Sequence, residues 1–321
     1  MNKLNRFSIG LALYLTALCA MAIVAPAQEK LRNALDFDGD DKADFAVNRV
    51  ANNTWYIRKS SDGALSAVTF GINDYDTLTP GDYDGDGKGD VAIWRYTDRG
   101  WYRLNSSNNT VTVLQFGTVG DEPVQRDYDG DGKTDIAVIR RTNGTMTWYV
   151  LKSSDNGFYG AQFGANTDFP VPGDYDGDGK FDFAVMRPGA TSTAQSYFYL
   201  LQSTAGFTVV PWGVGGDFAV PGDYDGDGKT DVAIYRRGAT TADALAWYVL
   251  RSSGGFTANQ FGLTEYDTAV QNDYDGDGKT DLAVWRETEG NYYYLRSLDN
   301  VITGGSWGLI SDYPIASYDT H

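Results

Sequence analysis

Residues Asp127–Asp135 read DYDGDGKTD, and the same nine residues stand at Asp223–Asp231 and Asp273–Asp281. Near copies are DYDGDGKGD at Asp82–Asp90, DYDGDGKFD at Asp174–Asp182 and DFDGDDKAD at Asp36–Asp44. The six starts are separated by 46, 45, 47, 49 and 50 residues. A fixed period in this range marks a propeller, a solenoid or an array, with one supersecondary unit per repeat.

The rest of each unit repeats as well. A short apolar run follows the last aspartate, as in Val91-Ala92-Ile93 and Ile136-Ala137-Val138. An arginine lies thirteen residues after each loop start, at Arg49, Arg95, Arg140, Arg187, Arg236 and Arg286. A second run carries paired aromatics such as Trp101-Tyr102 and Trp148-Tyr149, and a third ends in an aromatic-Gly pair such as Phe116-Gly117. An aspartate precedes each later loop by six residues (Asp76, Asp121, Asp168, Asp217, Asp267), and Asp312 holds the matching place near the C-terminus. These runs are rich in Val, Ile, Tyr, Phe, Trp and Thr and bounded by Gly, Asn, Ser and Asp, so they read as strands. No apolar period of 3.6 follows the N-terminal segment, which predicts almost no helix. A fourth strand leading into the loop (Leu78–Gly81, Val171–Gly173, Val220–Gly222) completes a four-stranded unit. Apolar residues on both faces of the first run suit a sheet stacked between two neighbours, as in a propeller blade.

The first loop lacks a complete preceding strand, and the last unit carries a surplus one, Asp312–Tyr318, with no loop after it. Pairing the two closes a ring and removes exposed sheet edges. The expectation is an all-β, six-bladed β-propeller of four-stranded blades over residues 28–321, with seven blades or an open β-solenoid as alternatives. A seventh blade would need about 46 more residues, and a solenoid would call for atypical capping repeats.

Asp at positions 1, 3, 5 and 9 of every loop points to a hard cation. Calcium takes six to eight oxygens at about 2.3–2.6 Å, and alternate residues of a tight loop can aim short carboxylates at one point. Glycines at positions 4 and 6 permit the positive φ such a loop requires. The expected ligands are Asp36, Asp38, Asp40 and Asp44; Asp82, Asp84, Asp86 and Asp90; Asp127, Asp129, Asp131 and Asp135; Asp174, Asp176, Asp178 and Asp182; Asp223, Asp225, Asp227 and Asp231; and Asp273, Asp275, Asp277 and Asp281. Position 7 is Lys throughout, and is expected to lend its carbonyl while its ammonium points to solvent. The first loop has Asp41 at position 6; Asp tolerates positive φ better than most residues, so that loop is expected to bind less tightly. Magnesium fits less well because it keeps several waters. Soft metals want Cys or His.

These nine-residue loops, joined to Phe163-Gly164 and then Pro172-Gly173-Asp174, resemble the FG-GAP or VCBS repeat family, which includes the N-terminal propellers of integrin alpha chains and some fungal lectins. The resemblance spans about residues 33–317. It implies a calcium-bearing propeller and leaves the function open, since members bind proteins, sugars or matrix and some sit beside enzyme domains.

MNKLNR, an apolar run from Phe7 to Ala25 and Ala25-Pro26-Ala27 read as a secretory signal peptide over residues 1–27, an uncleaved anchor being the alternative. Cleavage removes Cys19, leaving no cysteine for a disulfide, and takes the net charge from −17 to −19 by removing Lys3 and Arg6. The protein is then secreted, periplasmic or at the cell surface, and has no later stretch able to span a bilayer as a helix. So acidic a chain repels phosphates, which argues against nucleic acid. Of the acidic residues 38 are Asp and 5 are Glu, so the short carboxylate is chosen for geometry. About six Ca²⁺, one per loop, would bring the charge to about −7.

The six arginines read as architectural, each pairing with an aspartate or with carbonyls of a neighbouring blade, and the aspartates before the loops read as turn residues. In each aromatic pair one ring is expected to pack between blades and the other to lie nearer the surface. Trp94, Trp285 and Tyr235 stand where other units have Asn48, Ile139 and Met186, and such variable positions are candidates for ligand contact. The one histidine is His321, so Ser-His-Asp and Cys-His catalysis is effectively excluded, while a glycosidase-type carboxylate pair stays open. The expectation is a non-catalytic calcium-binding protein recognising a carbohydrate or protein ligand. The alternatives are a polysaccharide-acting enzyme and a structural or adhesive component.

Overall fold

The computed structural model describes residues 34–72 and 75–316. The expected signal peptide and His321 lie outside the described residues. Six four-stranded antiparallel sheets are arranged as six blades, and among the described residues helical structure amounts to little more than a 3₁₀ turn at Val50–Asn52. The second blade shows the plan: an inner strand Asp76–Leu78, then Val91–Arg95, Gly100–Leu104 and the outer strand Val111–Gln115.

The first blade is completed from the far end of the chain. Its inner strand is Tyr313–Pro314, paired antiparallel with Phe45–Arg49. The amide of Ile315 donates to the Ala46 carbonyl at 2.9 Å, and Ile315 is buried. This clasp makes the ring, as the strand arithmetic predicted, with six blades. The seam beside it is dense: Tyr292 of the sixth blade donates to the Ala46 carbonyl at 2.5 Å and stacks on Phe45 at 4.6 Å, and Trp307 donates to the Tyr56 carbonyl at 3.1 Å.

The inner strands lie slightly earlier than predicted, at Asp76–Leu78, Phe169–Pro170 and Phe218–Ala219. Pro80, Pro172 and Pro221 follow them, and just before each proline the amide of Thr79, Val171 or Val220 still bonds the second strand. Pairing resumes for one residue at Gly81, Gly173 and Gly222, each bridged to position 9 of its loop.

The aromatic pairs divide as expected. Trp55, Trp101, Trp148 and Trp247 are fully buried between blades, while Tyr56, Tyr102, Tyr149 and Tyr248 are half-buried. Each buried indole donates to the carbonyl of the aromatic-Gly pair on the outer strand of its own blade, as in Trp148 to Phe163 at 2.9 Å and Trp247 to Phe261 at 2.8 Å. Burial of each ring contributes roughly 1.5–3 kcal/mol by apolar area alone, and the paired N–H avoids a desolvation cost. Trp94, Trp285 and Tyr235, offered as ligand contacts, are instead nearly fully buried. They sit on second strands, sandwiched between blades, so their variation reflects packing; Trp94 alone of the three also borders the central cavity.

Candidate metal centre

Two features occupy opposite faces of the ring. One face carries the bidentate Arg–Asp pairs: Arg95 with Asp76, Arg140 with Asp121, Arg187 with Asp168, Arg236 with Asp217, Arg286 with Asp267, and Arg49 with Asp312 across the clasp. The first contact in each is 2.6–2.7 Å, and the aspartate side chains are almost wholly buried. The partner therefore lies in the arginine's own blade, not in a neighbouring one, because the inner and second strands place the two residues side by side. Each guanidinium also covers the tyrosine of its aromatic pair, at 4.2–5.2 Å from the ring centre. Oδ2 of the carboxylate, besides bonding the arginine, caps the turn as expected, accepting backbone amides such as those of Thr118, Ala165 and Val214.

The acidic loops lie on the opposite face, where they join inner to second strands. Position 1 anchors the loop. Asp82 Oδ1 accepts the Gly85 amide at 2.7 Å and Oδ2 the Gly87 amide at 2.9 Å, and Asp127, Asp174, Asp223 and Asp273 repeat this. Positions 4 and 6 have φ of +77 to +89° where they are Gly, and Asp41 adopts +67° and donates its amide to Asp36 like its glycine counterparts. Position 9 closes the loop: Asp90 Oδ2 accepts the Tyr83 amide at 2.9 Å, with equivalents at Asp44, Asp135, Asp182, Asp231 and Asp281.

A second element, which the sequence reading missed, covers each loop. After every third strand stands a serine (Ser60, Ser106, Ser153, Ser203, Ser252, Ser297) whose amide donates to position 9 at 2.6–2.7 Å. Its hydroxyl donates to position 5, at Asp40, Asp86, Asp131, Asp178, Asp227 and Asp277. In four units the next residue, Ser61, Ser107, Ser154 or Ser253, bonds position 3 through its hydroxyl. The repeated serine was the available signal. Its distance from the loop start drifts from 24 to 29 residues with the length of the intervening turn, which hid the register.

Oxygens of three aspartates come within 4.8 Å of one another in each of five loops: Asp36, Asp38 and Asp40; Asp82, Asp84 and Asp86; Asp127, Asp129 and Asp135; Asp174, Asp176 and Asp182; and Asp223, Asp225 and Asp231. One further such group exists. Such a group could hold a metal ion. The position-3 oxygens test the fit. Oδ1 of Asp38, Asp84 and Asp176 is buried and accepts no hydrogen bond, while in Asp129, Asp225 and Asp275 it meets a position-5 amide at a long 3.1–3.3 Å. A buried carboxylate oxygen without a partner is costly, and a hard cation is the partner this all-oxygen donor set suits.

Charge tells the same story. Burial pushes Asp82 and Asp127 to about 6, against an ordinary 3.8, with neighbouring carboxylates adding to it and the loop amides opposing. Burial likewise raises Asp90 and Asp231 to about 6, and Asp44, Asp135, Asp182 and Asp281 to about 7.

The loops also hold one another. The position-8 amide of each donates to the position-1 carbonyl of the loop before it: Gly89 to Asp36, Thr134 to Asp82, Phe181 to Asp127, Thr230 to Asp174, Thr280 to Asp223, and Ala43 to Asp273 across the seam, at 2.6–2.8 Å. The position-7 lysine stems follow the same direction. They lie against the position-4 glycine of the preceding loop, 2.7–3.0 Å from where a Cβ would stand, and Lys133 Nζ donates to the Asp84 carbonyl at 3.1 Å. The lysines are therefore seated on the adjacent loop and do not simply extend into solvent.

Fold and loops together define a six-bladed β-propeller with acidic clusters able to hold cations. Residues 127–185 match the FG-GAP-like repeat family, and the six-bladed architecture is consistent with an FG-GAP-like propeller. No curated protein matches the chain. Similar solved structures include AofleA from Arthrobotrys oligospora (11% identity, 89% of this chain and 88% of that one, TM-score 0.48). An oligogalacturonate lyase in complex with manganese is similar at 11% identity (78% and 69%, TM-score 0.48), and a protein from Lactobacillus plantarum at 14% (83% and 85%, TM-score 0.44). No helix among the described residues is long and apolar enough to cross a membrane.

Proposed function

We propose that the protein is an exported, calcium-stabilised propeller that recognises a carbohydrate or a protein outside the cell or at its surface, without chemistry on the ligand. The observation that carries the calcium assignment is the set of buried, unpartnered Oδ1 atoms at Asp38, Asp84 and Asp176. The residues that would hold the ion are the aspartates at positions 1, 3, 5 and 9, with the serine pairs orienting positions 3, 5 and 9. The ion would supply charge neutralisation and would tie the turn after the third strand to the loop before the second. The first loop, with Asp41 in place of glycine, would bind most weakly.

The non-catalytic reading rests on how carboxylates are held. Those lining the central cavity are Asp76, Asp121 and Glu122, and each is paired with an arginine. An acid–base or nucleophile pair needs carboxyl groups available to the substrate. Export rests on the basic, apolar and Ala25-Pro26-Ala27 segments of residues 1–27.

The test is thermal unfolding of the mature chain. Excess chelator should lower the Tm, and added calcium, but not equimolar magnesium, should restore it. An unchanged Tm in chelator would sink the assignment.

A further inference from the structure

The ring encloses a central cavity of about 720 Å³, lined mainly by residues of or beside the inner strands. We propose that it binds the end of a neutral oligosaccharide; the inference rests on the recognition reading above and names its ligand class and place.

Backbone polarity is the first argument. Just after each inner strand one residue turns its amide to the second strand: Thr79, Val124, Val171, Val220, Val270 and Ile315 donate to carbonyls there at 2.8–2.9 Å. In an antiparallel pair successive residues point their backbone groups alternately toward and away from the partner, so the residues on either side face the channel. Prolines occupy these channel-facing places at Pro80, Pro123, Pro170, Pro172, Pro221 and Pro314. Each removes a donor and keeps a carbonyl. The throat therefore offers more backbone acceptors than donors, which suits a ligand that brings hydroxyls.

Side chains give the second argument. Directly after the arginine-paired aspartate the blades present Thr77, Glu122, Phe169, Phe218, Thr268 and Tyr313. Phe169 and Tyr313 line the cavity and are 51% and 39% exposed, and aromatic faces on a concave wall suit the C–H faces of a sugar ring. Thr77, Thr268 and Gln125 add neutral polar groups to the lining.

Charge balance is the third. Both Glu122 oxygens are held by Arg141, whose remaining nitrogen donates to the Asn166 and Asp168 carbonyls at 2.6 and 2.8 Å. Arg126, at the floor, is buried and donates to the Gln125 carbonyl at 2.7 Å. The lining carboxylates are thus each held by an arginine, which disfavours an amine and leaves the exposed wall to neutral polar and aromatic groups that suit a polyol.

The experiment uses the calcium-loaded mature chain on a printed array of defined neutral, acidic and amino oligosaccharides. Phe169→Ala and Thr77→Trp are the channel variants, and Phe207→Ala, exposed on the outer rim, is the control. The expected result is retention of neutral glycans. The channel variants should lower it at least tenfold with the chelator-sensitive Tm unchanged, and Phe207→Ala should leave it intact. Retention of charged glycans alone, no retention, or equal retention by the channel variants would overturn the site. In those cases an intact calcium shift would show that the metal assignment survives. Cleavage of a channel-dependent neutral glycan would support the site while ending the non-catalytic reading.

Discussion

Stripping the protein of metal should invert the way its stability responds to pH. In the ion-free loops Asp90 sits near 6 and Asp135 near 7, both against an ordinary 3.8 and both chiefly because they are buried. The folded chain then holds these protons more tightly than the unfolded chain. Folding takes up protons between about pH 4 and 7, and stability is lost as pH rises through that window. At about 1.36 kcal/mol per pH unit, Asp90 alone represents roughly 3 kcal/mol and Asp135 roughly 4. Summed over six loops this exceeds the roughly 5–15 kcal/mol by which domains are stable. An empty, fully ionised ring is therefore expected to be markedly less stable at pH 8. Protein stripped of metal and dialysed into metal-free buffer should melt at least about 10 °C higher at pH 5 than at pH 8, at roughly 2 °C or more per kcal/mol. Saturating calcium should reverse the slope, because protons then compete with the ion for the same oxygens. Differential scanning calorimetry across pH 5–8 measures both curves. A stripped protein that is less stable at pH 5 than at pH 8, or parallel curves with and without calcium, would refute the reasoning.

Three further outcomes follow from packing and pairing. Arg140→Met should cost roughly 2–3 kcal/mol in urea unfolding by leaving Asp121 buried and unpaired, less than a fully buried pair because the arginine is partly exposed. Gly222→Ala places a methyl 2.7 Å from Thr280 Oγ1 and should cost roughly 1–3 kcal/mol; adding Thr280→Ala should recover part of that loss, and strict additivity would contradict the contact. Ile315→Ala, in the clasp, should lower the urea midpoint by an equivalent of roughly 2–5 kcal/mol.

The blade plan was legible because each repeated residue has a fixed local task. The glycines at positions 4 and 6 mark positive φ, the Trp-Tyr pairs mark one buried and one half-buried face, and the orphan strand Tyr313–Pro314 marks the clasp. What stayed hidden depends on contacts between units. The lysines looked solvent-directed within their own loop, yet their stems rest on the preceding one. The serine lids escaped because turn length shifts them against the loop start. Trp94 and Trp285 looked like candidate ligand contacts because they vary, but a position between two blades varies with whatever its neighbour offers. The inner-strand prolines gained meaning when the direction of adjacent amides showed which residues face the channel.

The seams between acidic loops are of more than one kind. Gly81 meets Thr134, Gly173 meets Thr230 and Gly222 meets Thr280, with no room for a side chain at the glycine, whereas Arg126 lies over the Phe181 ring. Near-identical blades are thus not interchangeable parts. A chimera that moved the third unit into the fifth position would set Arg126 against Thr280, a pairing found at none of these four seams. A unit is therefore matched to its neighbour through the joint as well as through the strands, even though every segment is built to one pattern.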